Sequence, residues 1–294
     1  MDRIKLNAYA KINLSLDVTG RRDNGYHDVR MIMQTIDLYD EIIIVREVAG
    51  SRDGKIVLGS GSKEVAPDEN NLIYKAARLM MNECGINDAI KITYKKKIPV
   101  AAGMAGGSTD AAAVFRGLNE LFSLGLGNSD LCKMGVRIGA DVPYCIMGGT
   151  ALSEGIGEIL TPITPMPECF ILIAKPPIGV STAYVYNAYD SLREKYHPDV
   201  DAMKDAIEKQ DIKRIAMLLG NSLEGVTIDK YPVINRIKEL MLGNGALGSL
   251  MSGSGPTVFG IFDDREAIIN AEGKIKESGI AKDLLMTAPF NVKS

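Results

Sequence analysis

The chain has 294 residues, 46% hydrophobic and 24% charged, which excludes a disordered protein and leaves room for one large domain or two modest ones. With 34 basic and 37 acidic residues the formal net charge is −3, so no global basic field invites nucleic acid or an anionic membrane surface. Four cysteines without C-x-x-C pairing fit a reducing compartment, and two histidines speak against a His-based zinc site while leaving oxygen ligands for magnesium.

Alternation around Ile12, Leu14 and Leu16 predicts a strand over Ala10–Asp17, with Lys11 and Asn13 on one face of it. That face is either the solvated side of an edge strand or a polar pair held at a site. Thr19–His27 sets turn residues and two arginines ahead of Tyr26 and His27. It is either a structural turn or a ligand loop in which Tyr26 stacks on a flat ring and His27 exchanges hydrogen bonds. Ile42 to Val45 predict a second strand over Glu41–Arg46. The spacing of Leu72, Ile73, Ala76, Ala77, Leu79 and Met80 predicts a helix from Asn70 to Glu83, and Ala89–Tyr94 reads as a strand.

That strand leads into Pro99-Val-Ala-Ala-Gly-Met-Ala-Gly-Gly-Ser-Thr109 and then an apolar helix beginning at Asp110. Glycine at 103, 106 and 107 allows backbone N–H groups to approach an anion, and the following helix offers its positive end. The segment lacks both the Gly-Lys-[Ser/Thr] ending of a P-loop and the G-x-G-x-x-G spacing of a dinucleotide fold. It is either a third kind of nucleotide loop or an ordinary turn with Ser108 or Thr109 as helix N-cap. Val114, Phe115, Leu118, Leu121 and Phe122 form one stripe of the helix, which ends near Gly125 and Gly127.

In Arg137-Ile-Gly-Ala-Asp-Val-Pro-Tyr144, Asp141 falls in a turn between a helical stretch and a short strand. It is either a cap or the carboxylate that receives a hydroxyl proton in phosphoryl transfer, with a lysine offsetting developing charge. Gly148–Gly155 and Met251–Gly260 read as hairpins or bulges, the second with room for a close approach. Three prolines in Thr161–Pro167 mark a domain boundary. Beyond it come a β run over Cys169–Ala174, helical stretches around 182–195, 201–219 and 231–242, strands near 247–251 and 256–262, a helix over 264–278 and an apolar run at 284–288. Strands and helices mix without strict alternation, so the expected class is α+β, with domains at 1–161 and 162–294. No apolar run nears the roughly 18 residues that span a bilayer, and Met1–Lys5 carries no targeting core, so a cytoplasmic location is expected.

Together, Ala10–Leu14, Gly25–His27, Pro99–Thr109, Gly139–Pro143 and Ser252–Thr257, in that order, resemble the GHMP kinase superfamily over nearly the whole chain. The resemblance implies an N-terminal domain like ribosomal protein S5 domain 2 and a ferredoxin-like C-terminal domain. It implies transfer of phosphate from ATP, with Mg2+, to a hydroxyl. The Lys-x-Asn and Tyr-His segments point to a member acting on the tertiary 2-hydroxyl of a cytidine-diphosphate-linked methylerythritol, in the non-mevalonate route to isoprenoid precursors. Monomer and homodimer both remain open.

By the same resemblance Asp141 is the base and Lys11 its electrostatic partner, and Asn13 holds substrate. Tyr26 stacks on cytosine and His27 bonds its edge. Pro99, Val100, Ala101, Ala102, Gly103, Met104, Ala105, Gly106, Gly107, Ser108 and Thr109 wrap the ATP phosphates, Ser108 also serving the magnesium shell. Asn71 and Lys96 match positions near the adenine. Ala101, Ala102 and Ala105 stand where many members carry glycine, which puts the geometry of the loop in question.

Overall fold

The fold, obtained as a computed structural model, is described for residues 2–47, 54–59 and 68–291. Two long strands open it, β1 (Arg3–Arg21) and β2 (His27–Glu47), before β3 (Ile56–Gly59), α1 (Leu72–Cys84), β4 (Ala89–Lys95) and α2 (Gly106–Leu121). Next come α3 (Asn128–Gly135), α4 (Val142–Met147), β5 (Thr150–Glu154), β6 (Ile159–Pro162), β7 (Phe170–Lys175), α5 (Thr182–Asp190), α6 (Val200–Glu208) and α7 (Ile212–Met217). The chain finishes with β8 (Gly220–Asn221), α8 (Glu224–Lys230), α9 (Val233–Gly243), β9 (Gly248–Met251), β10 (Val258–Phe262), α10 (Arg265–Ser278) and β11 (Asp283–Thr287). Among the described residues no helix is long and apolar enough to cross a membrane.

These elements form two compact units built from interleaved segments: Met1–Ala10, Leu38–Val100 and Ala105–Met147 in one, Lys11–Asp37, Ala101–Met104 and Gly148–Ser294 in the other. In the first, β4 runs parallel to β3 and antiparallel to β2, with Ile44 opposite Ile92. Helix α1 is capped by Asn71, whose Oδ1 accepts Ile73 N–H at 2.9 Å, and ends at Gly85 in the left-handed conformation. Gly117 lets α2 lie against the sheet, because a Cβ there would come within 2.8 Å of Ile44 and Leu6 side-chain carbons.

Helix α2 starts at Gly106, four residues before the expected Asp110, inside the glycine segment itself. Its cap position, Ala105, is left-handed (φ 57°), and no side chain caps it, so neither Ser108 nor Thr109 is the N-cap. The Thr109 hydroxyl donates instead to Tyr9 O at 2.7 Å. The strand expected after Asp141 is also absent: α4 follows, with Pro143 in its first turn, where a missing N–H costs nothing.

In the second unit β1 pairs in parallel with β8, and β2 antiparallel with β5, which forms a hairpin with β6 over the glycines at 155 and 157. A second sheet has the order β11-β7-β10-β9, antiparallel throughout. With α9 and α10 it makes the β-α-β-β-α-β arrangement of a ferredoxin-like fold, packed through Leu172, Met251 and Phe262 on Ile237, Met241, Ile268 and Ile275. The expected helix over 201–219 is broken at Gln210 (φ 55°) into α6 and α7, each with its own aspartate cap, Asp199 and Asp211. The α+β expectation and the ferredoxin-like sheet both hold.

Candidate active site

Within the second unit, period-2 alternation carries Lys11 and Asn13 to one face of β1, and that face is buried rather than solvated. Lys11 is 5% exposed and Asn13 fully covered, with Lys11 Nζ donating to Asn13 Oδ1 at 2.8 Å. Lysine is seldom buried to this degree, because its ammonium leaves water at a cost. The backbone N–H of Lys11 donates to Met104 O, which ties the strand to the glycine segment.

The loop between β9 and β10 closes on the same place. Ser252 Oγ donates to Gly103 O at 3.0 Å, and a Cβ on Gly103 would sit 2.3 Å from Ser252 O. A Cβ on Gly253 would lie 3.5 Å from Asn13 Oδ1. The close approach expected of the second glycine hairpin is therefore made to the first glycine segment and to Asn13. Asn221, unassigned from sequence, braces the loop by donating to the carbonyls of Met251 and Gly253.

Tyr26 is 57% exposed, on a tight turn made by Gly25 (φ 86°). An open phenol ring beside a buried imidazole suits stacking on a flat ligand. His27 Nε2 meets Asp190 Oδ1 at 2.8 Å, and its ring lies 4.7 Å from that of Tyr186. Tyr186 and Asp190 are one helical turn apart on α5, more than 150 residues from His27 in sequence. Only their i, i+4 spacing on one helix face hinted at a joint role.

The first unit holds Gly106, Gly107 and Ser108 at the start of α2, whose leading N–H groups have no helical acceptor. Gly107 is exposed. The turn before Asp141 adjoins them, since a Cβ on Gly139 would lie 3.9 Å from Ser108 Oγ. Asp141 itself directly precedes α4, where its carbonyl accepts Cys145 N–H at 3.0 Å.

Lys96 is anchored in a buried cluster. Its ammonium pairs with Asp40 and with Asp110 Oδ2 at 2.6 Å, and donates to Gly106 O at 3.3 Å. Asp40 Oδ1 also accepts the N–H groups of Lys97 and Ile98, while Asp110 Oδ1 has no hydrogen-bond partner among the described residues. Burial, reinforced by the charge of Asp40 and opposed by Lys96, pushes the Asp110 carboxyl up to about 8. For Lys96, burial pulls the ammonium pKa down, but the two carboxylates outweigh it and hold it above its ordinary value. Lys96 thus joins the end of β4 to the start of α2, a role its sequence position did not reveal. Asn71, the cap of α1, lies within hydrogen-bond reach of Tyr94.

Ala101 and Ala105, two positions flagged for missing glycine, both adopt left-handed backbone (φ 51° and 57°). The loop therefore keeps a glycine-like path despite the alanines, each at a cost of about 1–2 kcal/mol.

The chain is similar to known proteins in sequence and in fold. The description "GHMP kinases N terminal domain" matches residues 71–149 and "GHMP kinases C terminal" matches 203–281. A 4-diphosphocytidyl-2-C-methyl-D-erythritol kinase of Lachnospira eligens is 51% identical over 99% of both chains, and one of Lachnoclostridium phytofermentans is 51% identical over the full length of both. A crystal structure of 4-(cytidine 5'-diphospho)-2C-methyl-D-erythritol kinase superposes with a TM-score of 0.81 at 27% identity, covering 98% of this chain and 100% of that one. A mevalonate kinase of L. major, at 18% identity and a TM-score of 0.79 over 99% and 97% of the chains, shares the fold. The chain belongs to the GHMP kinase family, among the 4-diphosphocytidyl-2-C-methyl-D-erythritol kinases.

Proposed function

We propose that this enzyme transfers the γ-phosphate of ATP to the 2-hydroxyl of 4-diphosphocytidyl-2-C-methyl-D-erythritol, giving the 2-phosphate and ADP, with Asp141 and Lys11 as its catalytic pair. The observation that carries the reading is Lys11: a buried ammonium bonded to Asn13 and tied through its own backbone to the glycine segment. A cation there offsets charge that develops on the reacting oxygens.

The acceptor is a tertiary alcohol and a poor nucleophile. A loose phosphoryl-transfer transition state asks more for alignment than for full deprotonation, so Asp141 orients the hydroxyl and takes its proton late. Asn13 holds the acceptor end of the substrate. Tyr26 stacks on cytosine, and His27, set by Asp190, bonds its edge.

Residues 99–109 wrap the triphosphate with backbone N–H groups, most directly those of Gly106, Gly107 and Ser108. Asn71 and Lys96 border the adenine, Lys96 acting through the strand end that it anchors. The Ser108 hydroxyl is a hard oxygen donor on the first turn of α2, so Ser108 would contribute a ligand to Mg2+. Bound there, Mg2+ would offset phosphate charge. The family matches at 71–149 and 203–281 fall on either side of the boundary at 161, which supports assigning the two family domains to 1–161 and 162–294. The enzyme works in the cytoplasm, as monomer or homodimer.

Incubation with ATP, Mg2+ and the cytidine substrate, with homoserine and mevalonate as controls, tests the activity. ADP and phosphorylated product are expected from the cytidine substrate alone. Turnover of a control instead would overturn the reading of Tyr26 and His27.

A further inference from the structure

Helix α4 is six residues long and lies along α2 within the first unit. Contacts at its two ends fix its direction. At the leading end, the turn at Gly139 adjoins Ser108; at the trailing end, Arg116 Nη1 donates to Cys145 O at 2.7 Å and to Ile146 O at 3.3 Å. Ser108 and Arg116 are eight residues apart on α2, roughly 12 Å of helix, with Ser108 nearer its start. The two helices therefore run side by side in the same sense. The turn at Gly139, two residues before Asp141, lies beside the start of α2.

A helix this short has little stability of its own, and its last carbonyls lack helical donors. Arg116 supplies the donors from a neighbouring helix, where a cation also suits the negative end of α4. Beyond Arg116, Cys132 Sγ donates to Pro143 O at 3.6 Å, and apolar packing adds to the grip: Val142, Pro143, Tyr144, Cys145 and Ile146 are all buried, and Gly135 is close enough that a Cβ there would lie 2.9 Å from Val142. Apolar packing resists lifting the helix away, but it is non-directional and resists sliding along α2 less well. The bonds from Arg116 are directional and fix the trailing end of α4 at two carbonyls against a set point on α2.

We infer that Arg116 is a positioning residue for the phosphoryl transfer, holding α4 in register with α2 so that Asp141 stands at the level of the phosphate segment. The inference rests on the assignment of Asp141 as the residue that orients the acceptor hydroxyl. A shift of about 1 Å in such a group costs as much as 100-fold in rate, whereas phosphate binding by the start of α2 does not pass through α4.

The test uses Arg116→Met, which keeps bulk and loses the donors, and Arg116→Lys, which keeps a cation, each alone and combined with Asp141→Asn. Turnover, KM for ATP and thermal unfolding are measured for all. In otherwise native enzyme, Arg116→Met is expected to lower kcat about 10-fold or more with KM for ATP within twofold, and Arg116→Lys to recover part of the loss. In the Asp141→Asn background, Arg116→Met should change kcat little, because the group it positions is already disabled. An equal loss in both backgrounds, or unchanged kcat in Arg116→Met, would overturn the inference while leaving Asp141 in its role. Unchanged kcat in Asp141→Asn alone would overturn that role and the inference with it. If Arg116→Met does not fold, Arg116→Lys in the two backgrounds decides by the same comparison.

Discussion

Asp190 Oδ1 lies 2.8 Å from Nε2 of His27, on the helix that also stacks Tyr186 against the imidazole. A carboxylate can only accept, so neutral His27 carries its proton on Nε2 and leaves Nδ1 as an acceptor for an amino group such as that of cytosine. Asp190→Asn removes the charge and weakens that choice of tautomer. KM for the cytidine substrate is expected to rise about 10-fold, with KM for ATP unchanged, as suits the loss of one charge-assisted hydrogen bond. Steady-state kinetics with each substrate varied in turn checks this, and an unchanged cytidine KM would contradict the role.

Asp141→Asn keeps the shape of the side chain and removes its ability to take a proton. Turnover should fall at least about 100-fold with little change in ATP affinity. Near-normal turnover under saturating substrates would sink the assignment.

Gly103 is left-handed (φ 71°), and a Cβ there would meet Ser252 O at 2.3 Å. Gly103→Ala therefore combines backbone strain with a clash against main chain that cannot rotate away. A loss of about 2–4 kcal/mol is expected, together with weaker ATP binding. Thermal unfolding and nucleotide titration would show it; a variant as stable as the parent would mean that the 252–257 loop yields easily.

The Asp40–Lys96–Asp110 cluster makes stability depend on pH. Asp110 keeps its proton up to about 8 in the folded protein, while an unfolded aspartate ionises near pH 4. Between those values the folded state binds more protons, so this group's contribution to stability declines as pH rises from about 4 to about 8 and is level above. Asp110→Asn abolishes that decline. Urea unfolding at pH 5 and pH 8 should show the variant gaining on the parent at the higher pH, and a difference independent of pH would refute the raised pKa of Asp110.

Several parts of this enzyme were legible from local pattern alone. The alternation that put Lys11 and Asn13 on one strand face, the helical spacing over Leu72–Met80 and the hairpins or bulges at the two late glycine segments all follow from short-range geometry, while the order of the motifs carries the family resemblance. What local pattern left undecided was environment. Whether the Lys11 face met water or protein depended on segments more than 90 and 240 residues away, those of Met104 and Gly253. The same holds for Lys96, whose anchoring needs Asp40 and Asp110 from two other elements, and for His27, whose partners ride on α5. Helix starts were misjudged where the backbone took a left-handed step at Ala105 or Gln210, conformations that no side-chain pattern announces. Sequence by itself determined the class of chemistry through a family resemblance carried by motifs along nearly the whole chain, while composition and spacing left each site residue open between a structural and a functional role. Only tertiary structure decided which charges are buried and what holds each of them, because burial and pairing depend on contacts between distant segments.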